Sequence, residues 1–484
     1  LHHQDRVDGF LRAGRAERAL EHADAALAAA PRSSAAVAAR VIALRALARA
    51  GAAETLLATA RTDDPQDPLL AALDDALDPL DPRTLLLMAH ELHRAGDRNR
   101  GISLARRAAA TGASAFGNPA PLAGYAEAAF LDAAGEGDAA AAARARARGA
   151  DPSLAFPAGL DDLDVLRAAL AADGDDARAT AYLGCWLLDA GRTTDARDAL
   201  AHATETGIAD PIAWRNLAIA IVNGGGALAD ADRAYLGALR LAPRDPRLVV
   251  ERDQLLALQG ATPADRLAAI ESAGPDALVR DDLAIAYAEL LVDLERARDA
   301  LEFLSSRPFQ PFEGGEGRVI AAFDRASCAV ARELLGTDPD AAALLLAEGL
   351  AVPEHLGEGR HPADTPAERL VLLGDAEHAA GRTEAARAAW AAARDGGGPR
   401  AVAARPADEV YAWVGIAHLR LDEHDLATRV FDELDLRADE LENAPDTVDY
   451  FATSLPELLL FDIDTADRRR SQAARLRALA DAGR

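Results

Sequence analysis

The turn Ala-Gly-Arg recurs along this chain, each time between two runs of amphipathic helical pattern, and that recurrence constrains the fold more than any single residue does. DAGRTTDARDAL (189–200) aligns with AAGRTEAARAAW (379–390), the turn returning with Ala-Arg two residues after its Thr. RAGRAERALEHA (12–23) carries the same turn, and RAGDRNRGISLA (94–105) a looser copy. A helix–turn–helix unit of this size cannot bury its apolar face alone, so successive copies must stack. An all-α helical array is the expectation.

Composition agrees and narrows the chemistry. Half of the 484 residues are hydrophobic but only 4% are aromatic, so helices must pack closely through alanine. All 52 basic residues are Arg, which removes lysine Schiff-base chemistry and the lysine of a phosphate-binding loop. A net charge of −27 repels phosphate backbones and anionic lipid, which points away from nucleic acid and membrane surfaces and toward neutral or basic partners. Cys185 and Cys328 stand far apart in apolar helical contexts, against a disulfide framework or a cysteine-rich zinc site. No run approaches the ~20 apolar residues of a membrane span, and LHHQDRVDGF has no signal-peptide core, so a soluble, cytoplasmic chain is expected. Because it starts with Leu, it is expected to be part of a longer polypeptide.

The clearest repeat reads Trp214, Leu217, Ala218 and Ile221, then Ala231, Tyr235, Ala238 and Pro243 after a Gly-rich turn. It resembles the tetratricopeptide pattern, with one extra residue in the turn. Weaker copies run from Leu183 to Ala203, Leu283 to Leu304, Leu373 to Ala393 and Val414 to Leu434. The resemblance implies a tetratricopeptide-like right-handed helical solenoid, an αα superhelix with roughly 34 residues per helix pair. Residues 1–150 read as degenerate repeats and 151–484 as a richer array with Gly- and Glu-rich inserts. Irregular breaks fall at 61–83, 111–124, 151–162, 352–366 and 395–407.

One insert stands apart. RPFQPFEGGEGRV (307–319) holds two prolines and three glycines, which a helix does not tolerate. Arg307, Phe309 and Phe312 offer a cation and two flat rings, while Glu313 and Glu316, with Glu358 of a second Gly-Glu-Gly run at 357–359, offer carboxylates. Such a set could stack on and hydrogen-bond a sugar, or act as an acid and base pair; solvated loop glutamates are the plain alternative. Glycosidase chemistry would need two carboxyls about 5 to 9.5 Å apart across a cleft. Asn216 and Asn223 share a helix face, with Arg215 beside the first, and Arg280, Asp281 and Asp282 hold a comparable place before Leu283. They either line a concave groove or cap helices and bridge repeats. His90 and His93, in HELH, lack the spacing of a zinc protease, so no metal and no cofactor is expected.

From residue 156 onward the irregular pieces resemble the C-terminal half of bacterial proteins that join a β-sandwich domain of unknown function to a tetratricopeptide array. The residues that carry this are Tyr182-Leu183-Gly184, Arg215-Asn216-Leu217, Asn223, Asp253-Gln254-Leu255, Arg280 to Leu283, RPFQPFEGGEG, HLGEGR (355–360) and DYFATSLPELLLF from Asp449. Gln310 and Phe312 depart from it, standing where that family has His and Trp. The resemblance implies an N-terminal β-sandwich, a role tied to carbohydrate, and a site set that adds His355, Arg360, Asp449 and Tyr450. The expected function is therefore protein interaction and scaffolding, docking a β-sandwich of the same polypeptide. The alternative is a share in a glycoside-processing enzyme through Glu313, Glu316 and Glu358.

Overall fold

The computed structural model describes residues 2–74, 80–310, 312, 315–360, 366–396, 409–445, 460–461 and 465–484. Among these residues there are twenty-five α-helices and two 3-10 turns, no β-strand, and one isolated bridge between Ser114 and Gly117. Within each unit most helices pack on their neighbour in sequence and several also pack on the next but one, the contact pattern of stacked hairpins. The chain forms two compact units, residues 1–224 and 225–484, each with its own core. The architecture is an all-α, tetratricopeptide-like array of helix hairpins.

The ends of the helices follow from the recurring sequence signals. At the Ala-Gly-Arg turns the glycine takes the left-handed conformation, with φ of 71° at Gly191 and 81° at Gly381. The following Arg N–H then reaches back to close the helix, from Arg192 to the Leu187 carbonyl at 2.9 Å and from Arg382 to that of Glu377 at 2.8 Å. Helix starts are marked by Asp-Pro steps at Asp67, Asp81, Asp210, Asp245 and Asp338, where the Asp carboxylate accepts a first-turn N–H.

Within a hairpin the two helices approach until one backbone meets the other helix's side chain. A Cβ added at Gly184 would lie 2.5 Å from Leu200, at Gly374 2.3 Å from the Trp390 indole, and at Gly415 2.6 Å from the Phe431 ring. Trp390 cannot retreat easily, because its Nε1–H donates to Asp375 Oδ1 at 3.1 Å and its ring lies against His378. Gly374→Val should therefore cost about 1–3 kcal/mol of overpacking. The reading is a lower urea midpoint at unchanged slope; a variant as stable as the parent would remove glycine as the residue that sets this spacing.

Candidate functional site

In residues 225–484 the Pro- and Gly-rich insert is fastened to the start of the helix Asp281–Asp293. Asp281 does most of the fastening. Its Oδ1 accepts from Arg307 Nη2, and its Oδ2 accepts the Gln310 backbone N–H at 2.9 Å. Arg307 also donates to the carbonyls of Leu278 and Val279 and covers the Phe309 ring at 4.6 Å. Neighbouring Arg280 grips Asp282 with Nε and Nη2 at 2.8 and 2.9 Å, and Asp282 also accepts the Leu283 N–H. Asp281, Asp282 and Arg307 thus hold the chain's own backbone, and Arg280 holds Asp282.

The second insert closes on the first. The Phe309 N–H donates to the His355 carbonyl at 2.8 Å, and the Gly317 N–H donates to Glu358 Oε2 at 2.9 Å. Gly357 has φ of 75°, and a Cβ there would sit 2.2 Å from the Phe309 oxygen, so only glycine fits. Phe309 is 4% exposed and packs in the core with Ile285, Val319 and Leu356, while Phe312 lies over Gly315. The space left between the inserts is about 10 Å³, room for one water. Glu358, which lines that space, has its Oε1 buried without a hydrogen-bond partner, and His355 Nε2 in the same insert is likewise buried and unpartnered.

Arg360 pairs with Asp324 at 2.7 Å, and the same carboxylate accepts from Arg369 at 2.7 Å. Arg369 is 1% exposed and reaches the Leu346 carbonyl as well. The expectation of flat rings free for a sugar is thus corrected: Phe309 is a core residue and Phe312 is half-buried, because Arg307 and Asp281 draw the segment inward. Glu316 is exposed, while Glu313, Asp449 and Tyr450 lie outside the described residues.

Arg215, Asn216 and Asn223 belong to residues 1–224. Arg215 Nη1 donates to Asn216 Oδ1 at 2.9 Å, and Asn216 Nδ2 donates to Cys185 Sγ at 3.2 Å, a bridge between successive helix pairs. Burial pushes the Cys185 thiol up to about 11.

The same unit holds a second site, which sequence reasoning passed over as two irregular breaks. Asn118 joins them: its N–H donates to the Leu154 carbonyl and its Nδ2 to that of Asp151, both at 2.8 Å. Leu154 adopts φ of 58°, unusual for a branched residue. The paired loops and the helix Pro82–Arg94 enclose an open pocket of about 120 Å³. Leu87, Phe116, Leu154 and Phe156 line it and are each more than half exposed. His90 also lines it, is 4% exposed, and has no hydrogen-bond partner at Nε2. Burial lowers the His90 pKa and that of His93, the latter to about 4, with His93 stacked on Phe130 at 4.0 Å. Asp162, a further lining residue, accepts the Ala158 N–H at 2.7 Å, and burial raises its pKa to about 6. The signal in the sequence was Phe116 and Phe156 beside Gly and Pro in two segments that looked merely connective.

Among the described residues no group of three or more His, Cys, Asp or Glu side chains could hold a metal ion, and no helix is long and apolar enough to cross a membrane. No family model matches the chain. It is similar to Cut9–Hcn1, an APC/C hetero-tetramer, at 11% identity over 96% of this chain and 95% of that one, with a TM-score of 0.29. Yeast Tom70 gives 11% identity over 99% and 95% with a TM-score of 0.27, and the P58(IPK) TPR domain 14% over 82% and 98% with a TM-score of 0.20. At such values the likeness carries no argument, and the site's chemistry follows from this chain's own residues.

Two outcomes are expected. Asp324→Ala leaves the enclosed Arg369 without its carboxylate and should cost about 3 kcal/mol, measured by urea unfolding; a near-neutral result would show that its other acceptors, the Ser327 hydroxyl and the Leu345 and Leu346 carbonyls, suffice. For Asp162 the folded pKa stands above the ordinary carboxylate value, so the fold binds the proton more tightly than the unfolded chain does. Stability therefore falls as pH rises from about 4 to 6, and the penalty is complete above that. Asp162→Asn keeps an acceptor for Ala158 and should stabilise by about 1–3 kcal/mol near pH 7 but not near pH 4, by thermal unfolding.

Proposed function

We propose that this chain is a docking and scaffolding region whose task is to hold another polypeptide. The observation that carries the reading is the exposed cluster of Leu87, Phe116, Leu154 and Phe156 around an open pocket. Large apolar side chains gathered at a cleft mark interaction sites, because isolated chains gain by covering them. Stacked helix hairpins suit such a task, presenting long surfaces from a rigid frame.

The partner we favour is a folded domain of the same polypeptide, the β-sandwich implied by the sequence resemblance, meeting the acidic array through a neutral or basic face. The fastened inserts at 307–317 and 355–360 support a structural role for Arg307, Phe309 and Glu358. A glycoside-processing role is not favoured: a space of about 10 Å³ admits no sugar, and Glu358 already accepts the Gly317 N–H.

Panning a phage-displayed library of random peptides against the whole chain, followed by titration of synthetic binders, tests this. Saturable binding with Kd on the order of micromolar is expected, with no release of aglycone from a panel of aryl glycosides. Failure of any peptide to enrich, or glycoside turnover above buffer, would overturn the reading.

A further inference from the structure

The pocket of residues 1–224 carries chemistry beyond an apolar surface. We propose that it receives a tyrosine side chain from a partner polypeptide, with an arginine or lysine beside that tyrosine pairing with Asp162; this rests on the docking reading above.

Size sets the first limit. At about 120 Å³ the pocket is close to the ~150 Å³ cavity that accepts benzene, so it takes one six-membered ring. Its walls, among them Leu86, Leu122 and Phe156, are apolar and suit the ring's faces.

The second limit is the unpartnered nitrogen. A buried polar atom without a hydrogen bond is costly, and His90 Nε2 is one. A phenol hydroxyl both donates and accepts, so it satisfies Nε2 in either tautomer. A leucine or phenylalanine would fill the volume and leave that atom orphaned.

Charge supplies the third. Of the charged residues that line the pocket, Asp161 is paired with Arg94, and Arg83 donates to the Phe116 carbonyl at 3.3 Å. Asp162 accepts only the Ala158 N–H, so its carboxylate can take a cation. The net charge of −27 draws a basic segment toward the site. The site is also preorganised: Asn118 fixes one loop to the other, and the left-handed Leu154 is the sort of local strain that recognition sites retain.

The test is fluorescence anisotropy of a fluorescein-labelled peptide, Gly-Ala-Tyr-Arg-Ala-Gly, titrated with the full chain. Saturable binding below about 1 mM is expected. Replacing the peptide's Tyr by Phe should weaken binding about 5–10-fold through the lost hydrogen bond, and replacing its Arg by Glu should weaken it further at low salt. Leu87→Ser and Phe116→Ser, both on exposed side chains, should each weaken binding about tenfold while circular dichroism and the melting temperature stay unchanged. His90→Phe should abolish the preference for Tyr over Phe. No saturable binding, equal affinity for the Tyr and Phe peptides, or binding untouched by the Leu87 and Phe116 variants would overturn the proposal. If library peptides bind while this one does not, the tyrosine assignment falls and the docking reading stands; if neither binds, both fall.

Discussion

The fold depends on how near two helices of a hairpin can come. Where Gly184, Gly374 and Gly415 face Leu200, Trp390 and Phe431, a single methyl on the first helix would occupy space the second already fills. Close approach lets a chain with few aromatics reach native packing density, since alanine and glycine leave room for one large side chain per crossing. Trp390 and Phe431 are buried in consequence, and each ties its hairpin at one point. The spacing also fixes which polar groups meet between pairs, as where Asn216 reaches Cys185.

Arginine replaces lysine throughout, and the structure uses what arginine alone can do. A planar guanidinium can hold two acceptors at once, so Arg266 meets Asp253 with two hydrogen bonds of 2.9 and 2.7 Å where Asp253 is almost fully buried. Asp324 serves Arg360 and Arg369 together, joining the end of the second insert to two helices. Removing an aspartate from such a site costs more than a surface pair would suggest, because the cation that remains stays out of water.

Much of this was legible in the sequence. The repeated Ala-Gly-Arg turns located hairpins because a left-handed residue is needed at the C-terminus of a helix, and glycine marks it. At Ala48, Glu295 and Asp422 the same conformation is taken by other residues, which explains why those turns were harder to see. The sequence left Arg280, Asp281 and Asp282 either lining a groove or capping and bridging; the structure has Asp281 bonded to the insert and Asp282 to Arg280 and the Leu283 N–H. What composition could not supply was direction: the string of Phe, Pro and Gly at 307–317 reads equally well with its rings outward or inward. That choice is made by Asp281, a residue distant in sequence from the loop. The pocket of residues 1–224 was missed for the converse reason, since its walls come from three separate segments and no one of them is distinctive.

The two loop pairs make a physical comparison from which the placement of binding capacity follows. Both combine phenylalanine with proline and glycine, and both are stitched by backbone hydrogen bonds. In one, a carboxylate collects an arginine and a backbone N–H from the loop itself, and the cation lies over Phe309, so the ring enters the core and about 10 Å³ remains. In the other, Asn118 binds only backbone groups, the carbonyls of Asp151 and Leu154 and the Ala120 N–H, which holds the loops together without tying down the side chain of Phe116 or Phe156. Those rings stay at the surface, and the space beneath them, about 120 Å³, keeps an unpartnered His90 nitrogen. The first pair also keeps unpartnered polar atoms, His355 Nε2 and Glu358 Oε1, but it leaves no room beside them for a ligand. Free apolar area and unmet hydrogen-bonding capacity remain at the second pair, and a partner gains most by covering that surface.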